Sequence, residues 1–119
     1  AAEYARELER LCGSPMVIDL IHLGLGPDGH TASLVPGDSV LNVTDRDVAL
    51  TGGLYQKRRR MTLTYPALNR ARKILWVVTG ADKPDPLVQL RAADPAIPGG
   101  RVDQGRAVVM ADAVAAAKL

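Results

Sequence analysis

The chain is poor in the residues that build cross-links and metal sites. Its 119 residues include one cysteine, Cys12, and two histidines. A single cysteine excludes a disulfide within the chain, and we interpret Cys12, which precedes Gly13, as a small packed residue of a reducing compartment. Two histidines without a cysteine cluster fall short of the roughly three or four protein ligands that zinc takes, so we expect no metal.

The chain also lacks the marks of a membrane protein and of a nucleic-acid-binding protein. No stretch approaches the run of about 18 apolar residues that a membrane span needs, and the first residues do not resemble a signal peptide. The formal net charge is only +2. The one dense basic run, Lys57–Arg60, has no interleaved aromatic residues on which bases would stack. We therefore predict a cytoplasmic protein with neither nucleic acid nor membrane as its partner.

The composition and the hydrophobic pattern of the chain predict one α/β domain over residues 1–119. Hydrophobic residues make up 47% of the chain and charged residues 24%, as in ordinary globular proteins. The hydrophobic pattern predicts helices over 1–12, 67–72, 82–93 and 112–119, the third capped by Asp82, and strands over 16–24, 47–54, 60–64, 73–80 and 106–111. Strands that alternate with helices favour a mostly parallel sheet flanked by helices, in which ligands collect at the carboxyl ends of strands.

The turn after the first strand is where we expect the chemistry. The strand, residues 16–24, is apolar almost throughout, which indicates burial on both faces. The turn then presents, in order, Gly24, Gly26, Asp28, Gly29 and His30. Glycines allow close approach of a ligand to the backbone, and an imidazole can take a proton from water near neutral pH. From spacing alone, an Asx turn beside a surface histidine is an equally good interpretation.

The wider pattern resembles the 6-phosphogluconolactonases, the sugar-phosphate lactone hydrolases of the pentose phosphate pathway. Four segments carry the resemblance in the order of that family: Leu23-Gly-Leu-Gly-Pro-Asp-Gly-His-Thr-Ala-Ser-Leu-Val-Pro-Gly, Arg60-Met-Thr-Leu-Thr-Tyr-Pro-Ala-Leu-Asn, Val78-Thr-Gly-Ala-Asp-Lys and Ala111-Asp-Ala-Val-Ala-Ala-Ala. The glucosamine-6-phosphate deaminases are similar more distantly, through the Asp-Gly-His turn and a later lysine. The resemblance implies a Rossmann-like fold.

The same resemblance implies hydrolysis of 6-phospho-D-glucono-1,5-lactone to 6-phosphogluconate without a cofactor. It gives His30 the role of general base, and it places a phosphate-binding arginine at Arg60 and a phosphate-contacting lysine at Lys83. Arg59 is the alternative to Arg60 if the register slips. Asp28 either orients His30 or only shapes the turn. Backbone N–H groups near Gly24, Gly26 and Gly29, and at the start of a helix that Thr31 and Ser33 cap, are candidates to bind the substrate's anionic groups.

The resemblance corresponds to the C-terminal half of a typical family member. The Gly-Gly-Ser loop for the sugar phosphate and an acidic-arginine strand end have no equivalent before Leu23. We therefore expect a partial α/β domain: a fragment, a truncated gene product or one piece of a longer polypeptide. Such a chain would self-associate or bind a complementary N-terminal segment. The alternatives to a lactonase are a sugar-phosphate isomerase or deaminase on the same fold, and an inactive sugar-phosphate-binding fragment.

Overall fold

The structure is a computed structural model that describes residues 1–119. Three helices and five strands make up the fold: α1 (Ala2–Cys12), β1 (Leu20–Leu23), β2 (Val48–Leu50), β3 (Met61–Leu63), α2 (Tyr65–Asn69), β4 (Lys73–Val78), α3 (Pro84–Arg91) and β5 (Ala107–Ala111). Single turns of 3-10 helix lie at Ser39–Asn42 and Gly99–Arg101. No helix has the length and apolar character that crossing a bilayer requires.

The main sheet is parallel and has the strand order β1-β4-β5. Leu20 pairs with Lys73, and Ile74 pairs with Ala107. Helix α2 lies in the connection from β1 to β4, and α3 lies in the connection from β4 to β5, as parallel strands require. The prediction of an α/β fold with a mostly parallel sheet is confirmed.

A second, separate sheet pairs β2 with β3 in antiparallel fashion. The sequence predicts both strands but not their partnership. The ladder continues beyond the strands at both ends, where the Thr51 N–H donates to the Arg60 carbonyl (2.8 Å) and the Thr64 N–H donates to the Asp47 carbonyl (2.9 Å). We call the connection between these strands, residues 51–60, the arginine loop.

The core lies on one face of the main sheet. Its inward side chains are Ile21, Leu23, Ile74, Trp76 and Val78, which form one buried cluster with Leu68 of α2 and with Leu87 and Leu90 of α3. Trp76 is fully buried at the centre strand. Full burial of an apolar side chain such as Leu or Ile contributes about 1.5–3 kcal/mol, so each residue of this cluster adds to the stability of the fold.

The opposite face of the main sheet is uncovered. Leu20, Val77, Val108 and Met110 are 54%, 38%, 58% and 59% exposed there, and His22 is exposed beside them. We call these five residues the open face. The prediction that the first strand is buried on both faces is wrong for this chain, because nothing packs over Leu20 and His22.

Three local predictions also differ from the structure. Residues 113–118 form successive turns instead of a helix, and the Asp112 carboxylate accepts from the N–H groups of Ala115 (2.8 Å) and Gly80 (3.2 Å). Lys83, and not Asp82, is the residue before α3, which has no side-chain cap. No helix follows the glycine turn, so Thr31 and Ser33 cap none.

Candidate active site

The Asp-Gly-His turn follows β1 immediately and is closed by its own backbone. The Gly26 N–H donates to the His30 carbonyl (2.8 Å), and the Gly29 N–H donates to the Gly26 carbonyl (2.9 Å). Gly29 has a φ of +81°, and a Cβ there would overlap Ile97. The predicted amide donors at Gly26 and Gly29 therefore bond within the turn, where they set its shape.

Asp28 and His30 form a close pair. Imidazole Nδ1 lies 2.5 Å from Asp28 Oδ1, and the same oxygen accepts the His30 backbone N–H at 3.1 Å. Partial burial raises the pKa of Asp28, but the hydrogen bonds and charge of His30 outweigh it and hold that pKa below its usual value. An ionised carboxylate can only accept, so the proton lies on Nδ1 and Nε2 is left as the basic nitrogen.

Gly26 provides the space that the imidazole occupies. A Cβ at Gly26 would overlap the His30 ring and lie 2.8 Å from Asp28 Oδ1, although its backbone conformation is open to any residue. A Cβ at Gly24 would meet nothing within 4 Å. The two glycines of this turn therefore differ: the structure requires Gly26 for room around His30 and makes no such demand at Gly24.

Neighbouring segments hold the turn in place. The Thr31 hydroxyl donates to the Gly24 carbonyl (2.8 Å), and the Ser33 N–H donates to the hydroxyl of Thr62 in β3 (3.1 Å). From the other side, the Gly99 N–H donates to the Gly29 carbonyl (2.9 Å). Strand β3 and the 3-10 turn at Gly99–Arg101 thus hold the turn that carries His30.

Lys83 shares a cleft with the turn. The cleft has a volume of about 400 Å³ and is lined by Gly24, Leu25, Gly26, Pro27, His30, Ala32 and Lys83. The Lys83 side chain is largely buried, and its ammonium lies 3.8 Å from the Asp82 carboxylate. The carboxyl ends of β1 and β4 therefore bring together an imidazole and a cation that are 53 positions apart in the sequence.

Arg60 is linked to His30 through the ring of Tyr55, a residue that the sequence analysis missed. Its guanidinium carbon is 5.1 Å from the centre of the Tyr55 ring, and its Nη2 donates to Gln56 Oε1 (2.8 Å). The Tyr55 ring in turn contacts the His30 ring, with the centres 5.4 Å apart. Arg59 instead donates to the Thr51 carbonyl (3.1 Å). No local signal identifies Tyr55, because its partner His30 is distant in the sequence.

Asp38 is a second residue that the sequence does not reveal. Its carboxylate accepts from the N–H groups of Val40 (2.8 Å), Gly52 (2.8 Å) and Gly53 (2.9 Å). Burial raises the pKa of Asp38, but these hydrogen bonds and the charge of Arg59 outweigh it, so the pKa is lowered. Asp38 therefore anchors the start of the arginine loop.

The sequence matches a known family over most of its length. Residues 1–111 fit the profile of the family described as glucosamine-6-phosphate isomerases/6-phosphogluconolactonase. A 6-phosphogluconolactonase of Nostoc sp. is 37% identical over 127 aligned residues, which cover 100% of this chain and 52% of that protein. A second, from Synechocystis sp., is 48% identical over 79 residues, or 65% of this chain and 32% of that protein.

The comparison with solved structures also finds 6-phosphogluconolactonases. The 6-phosphogluconolactonase of Trypanosoma cruzi superposes with a TM-score of 0.82 and 28% identity, over 99% of this chain and 50% of that chain. The chain thus spans about half the length of the relatives it matches, and the fold corresponds to the C-terminal part of the larger domain.

Proposed function

Because the chain belongs to the glucosamine-6-phosphate isomerase and 6-phosphogluconolactonase family, we propose that it provides the base and the phosphate-binding cations of a lactonase site. The reaction is hydrolysis of 6-phospho-D-glucono-1,5-lactone to 6-phosphogluconate. One observation carries the proposal: the 2.5 Å contact between Asp28 Oδ1 and His30 Nδ1 leaves Nε2 as the basic nitrogen of a residue that lines the cleft.

In this proposal His30 activates water. Nε2 removes a proton as the water oxygen bonds to the lactone carbonyl carbon, and the carbonyl oxygen becomes an oxyanion. The tetrahedral intermediate collapses by breaking the bond to the ring oxygen, which takes the proton back from His30 as it leaves. Asp28, whose pKa is lowered, stays ionised and stabilises the imidazolium between the two steps. A base of this kind accelerates a reaction by roughly 10²–10⁴-fold.

The phosphate group is assigned to Lys83 and Arg60. The largely buried ammonium of Lys83 lines the same cleft as His30, which supports a contact with a substrate anion there. The ring contacts that link Arg60 through Tyr55 to His30 favour Arg60 over Arg59, whose guanidinium bonds the loop backbone. Anchoring the remote phosphate aligns the lactone carbonyl with His30. The energy of phosphate binding thereby raises the rate of the reaction.

The domain is incomplete in this proposal, and the open face is where its complement binds. A doubly wound sheet has helices on both faces, yet the open face of this chain is bare. Leu11 of α1 is also 64% exposed, and no residue of that helix is buried. We assign these surfaces to an N-terminal α/β segment equivalent to the half of the Nostoc relative that this chain does not match.

A comparison of two substrates tests the assigned reaction. The chain, alone and mixed with the N-terminal half of the Nostoc relative, is assayed with 6-phosphogluconolactone, corrected for spontaneous opening, and with glucosamine 6-phosphate. The proposal predicts lactone hydrolysis in one or both preparations and no release of ammonia. Deamination without lactone hydrolysis would contradict the proposal, and so would the absence of both from a folded mixture whose halves bind each other.

A further inference from the structure

We propose that Tyr55 is a positioning residue of this site, whose ring orients the His30 imidazole on one side and carries the Arg60 guanidinium on the other. This inference rests on the proposed function, since it concerns the same base and cation. Tyr55 is half-buried in the arginine loop, between two groups that the reaction needs at a fixed separation.

The contact with His30 is made by the ring more than by the hydroxyl. The two ring centres are 5.4 Å apart with planes inclined at 61°, an edge-on arrangement that aromatic pairs prefer. The Tyr55 hydroxyl lies 3.4 Å from Nδ1, whereas Asp28 Oδ1 lies 2.5 Å away and accepts the Nδ1 proton. A second contact at 3.4 Å is at the long end of hydrogen bonds, so the phenol oxygen contributes little.

The contact with Arg60 is of a different kind. The guanidinium carbon lies 5.1 Å from the ring centre, within the range of a cation–π interaction, and Gln56 Oε1 holds Nη2 at 2.8 Å. Tyr55 is itself fixed by a tight turn, in which its N–H donates to the Arg58 carbonyl (2.9 Å). The ring therefore contacts the imidazole and the guanidinium at once, and its position links the two groups.

Replacing the ring should disturb both groups, whereas removing the hydroxyl should not. We expect Tyr55→Leu to lower kcat, because the imidazole loses its lateral support, and to raise KM, because Arg60 loses its platform. The combined fall in kcat/KM is roughly 10–100-fold, as for other small misplacements of catalytic groups. Tyr55→Phe keeps the ring and stays within about threefold of the native chain, because the 3.4 Å contact that it loses is weak.

The chain has only two histidines, which makes NMR of the imidazoles a direct test. The His30 signals are assigned by their loss in His30→Ala, and inorganic phosphate is the probe for Arg60. In the native chain and in Tyr55→Phe we expect a nuclear Overhauser effect between the two rings and a shift of the His30 signals on phosphate addition. Tyr55→Leu should weaken the phosphate response at a given phosphate concentration, because Arg60 loses its platform while Lys83 still lines the cleft, and the His22 signals should stay constant.

Tyr4→Leu is the matched control, because Tyr4 lies on α1 and is 45% exposed. It should leave the His30 signals as they are in the native chain. Absence of the inter-ring effect in the native chain would overturn the inference, whether or not Tyr55→Leu folds. An unchanged phosphate response in Tyr55→Leu, or equal losses of kcat/KM in the Phe and Leu variants, would do so as well. The NMR measurement needs no turnover, so a chain that passes it but does not hydrolyse the lactone even when bound to its complement contradicts the proposed function alone.

Discussion

The Asp28–His30 pair depends on features that a sequence motif does not display. The spacing predicts that the two side chains are neighbours, but it leaves open whether Asp28 orients the imidazole or only shapes the turn. In the structure Asp28 contacts the imidazole and also shapes the turn, because its Oδ1 accepts from His30 Nδ1 and from the His30 backbone N–H. The 2.5 Å contact, the room above Gly26 and the ring of Tyr55 arise only when the chain is folded.

The lowered pKa of Asp28 predicts a pH-dependent contribution to stability. A carboxylate whose pKa falls on folding stabilises the folded chain above its unfolded value, about pH 4, and this stabilisation disappears as the pH drops through the folded value. In urea unfolding we expect Asp28→Asn to be less stable than the native chain at pH 7, and we expect this difference to be smaller at pH 3. Asp19→Asn, at a carboxylate that is 92% exposed, should show little difference at either pH. A gap that persists undiminished at pH 3 would contradict the account.

The space above Gly26 gives a second prediction at this scale. Gly26→Ala should displace the imidazole from Asp28, because the new methyl group occupies the position of the ring. We expect the chain to fold and the contact between Nδ1 and Oδ1 to be lost, which the His30 ¹⁵N signals report. Gly24→Ala introduces the same methyl group into open space and should leave that contact intact. Equal effects of the two substitutions would show that the ring does not depend on Gly26.

At the scale of elements, the sequence predicts the helices and strands whose apolar residues are regularly spaced. It does not predict the features that depend on contacts with distant segments. The buried centre strand β4 and helix α1 come out close to their observed bounds, because their apolar spacing is regular. The pairing of β2 with β3 was not predicted, since strands of three residues carry no register signal. The predicted terminal helix is absent, because the Asp112 carboxylate bonds the Ala115 and Gly80 amides and holds the segment in turns.

The Asp38 carboxylate anchors the start of the arginine loop. Asp38→Ala removes acceptors from three backbone N–H groups, of which those of Gly52 and Gly53 belong to this loop. We expect a loss of about 1–2 kcal/mol in the free energy of unfolding, less than three full hydrogen bonds because water replaces part of them. Asp45→Ala removes an exposed pair with Arg46 and should cost almost nothing. Chemical denaturation of both variants measures the difference, and equal stabilities would refute the anchoring role.

At the scale of the whole molecule, the open face is the feature that the sequence analysis predicted wrongly. The apolar run in β1 predicts burial on both sides, yet Leu20 is 54% exposed. The chain spans 52% of the Nostoc relative, and our proposal assigns the layer over this face to the other part of that protein. An exposed apolar sheet face of this kind marks an interaction surface.

Lysines introduced on the open face should weaken association and leave the fold unchanged. Val108→Lys and Met110→Lys together place two cations where the side chains are already exposed, so the chain should retain its fold by circular dichroism. Its self-association in light scattering, and its binding to the N-terminal half of the Nostoc relative, should fall by at least about tenfold, because each buried charge would be unpaired. Lys118→Ala, at an exposed lysine paired with Asp85, is the control for surface change. Undiminished binding by the double variant would place the complement elsewhere.

The measurement that tests the central claim most directly is the rate of 6-phosphogluconolactone hydrolysis by the complemented chain carrying either His30→Ala or His22→Ala. The account predicts a loss of at least about 10²-fold for His30→Ala, the usual contribution of a general base. It predicts near-native turnover for His22→Ala at a saturating concentration of the complement, since that imidazole lies on the open face, away from the cleft. Turnover by His30→Ala at the rate of the native chain would contradict the assignment of His30 as the base.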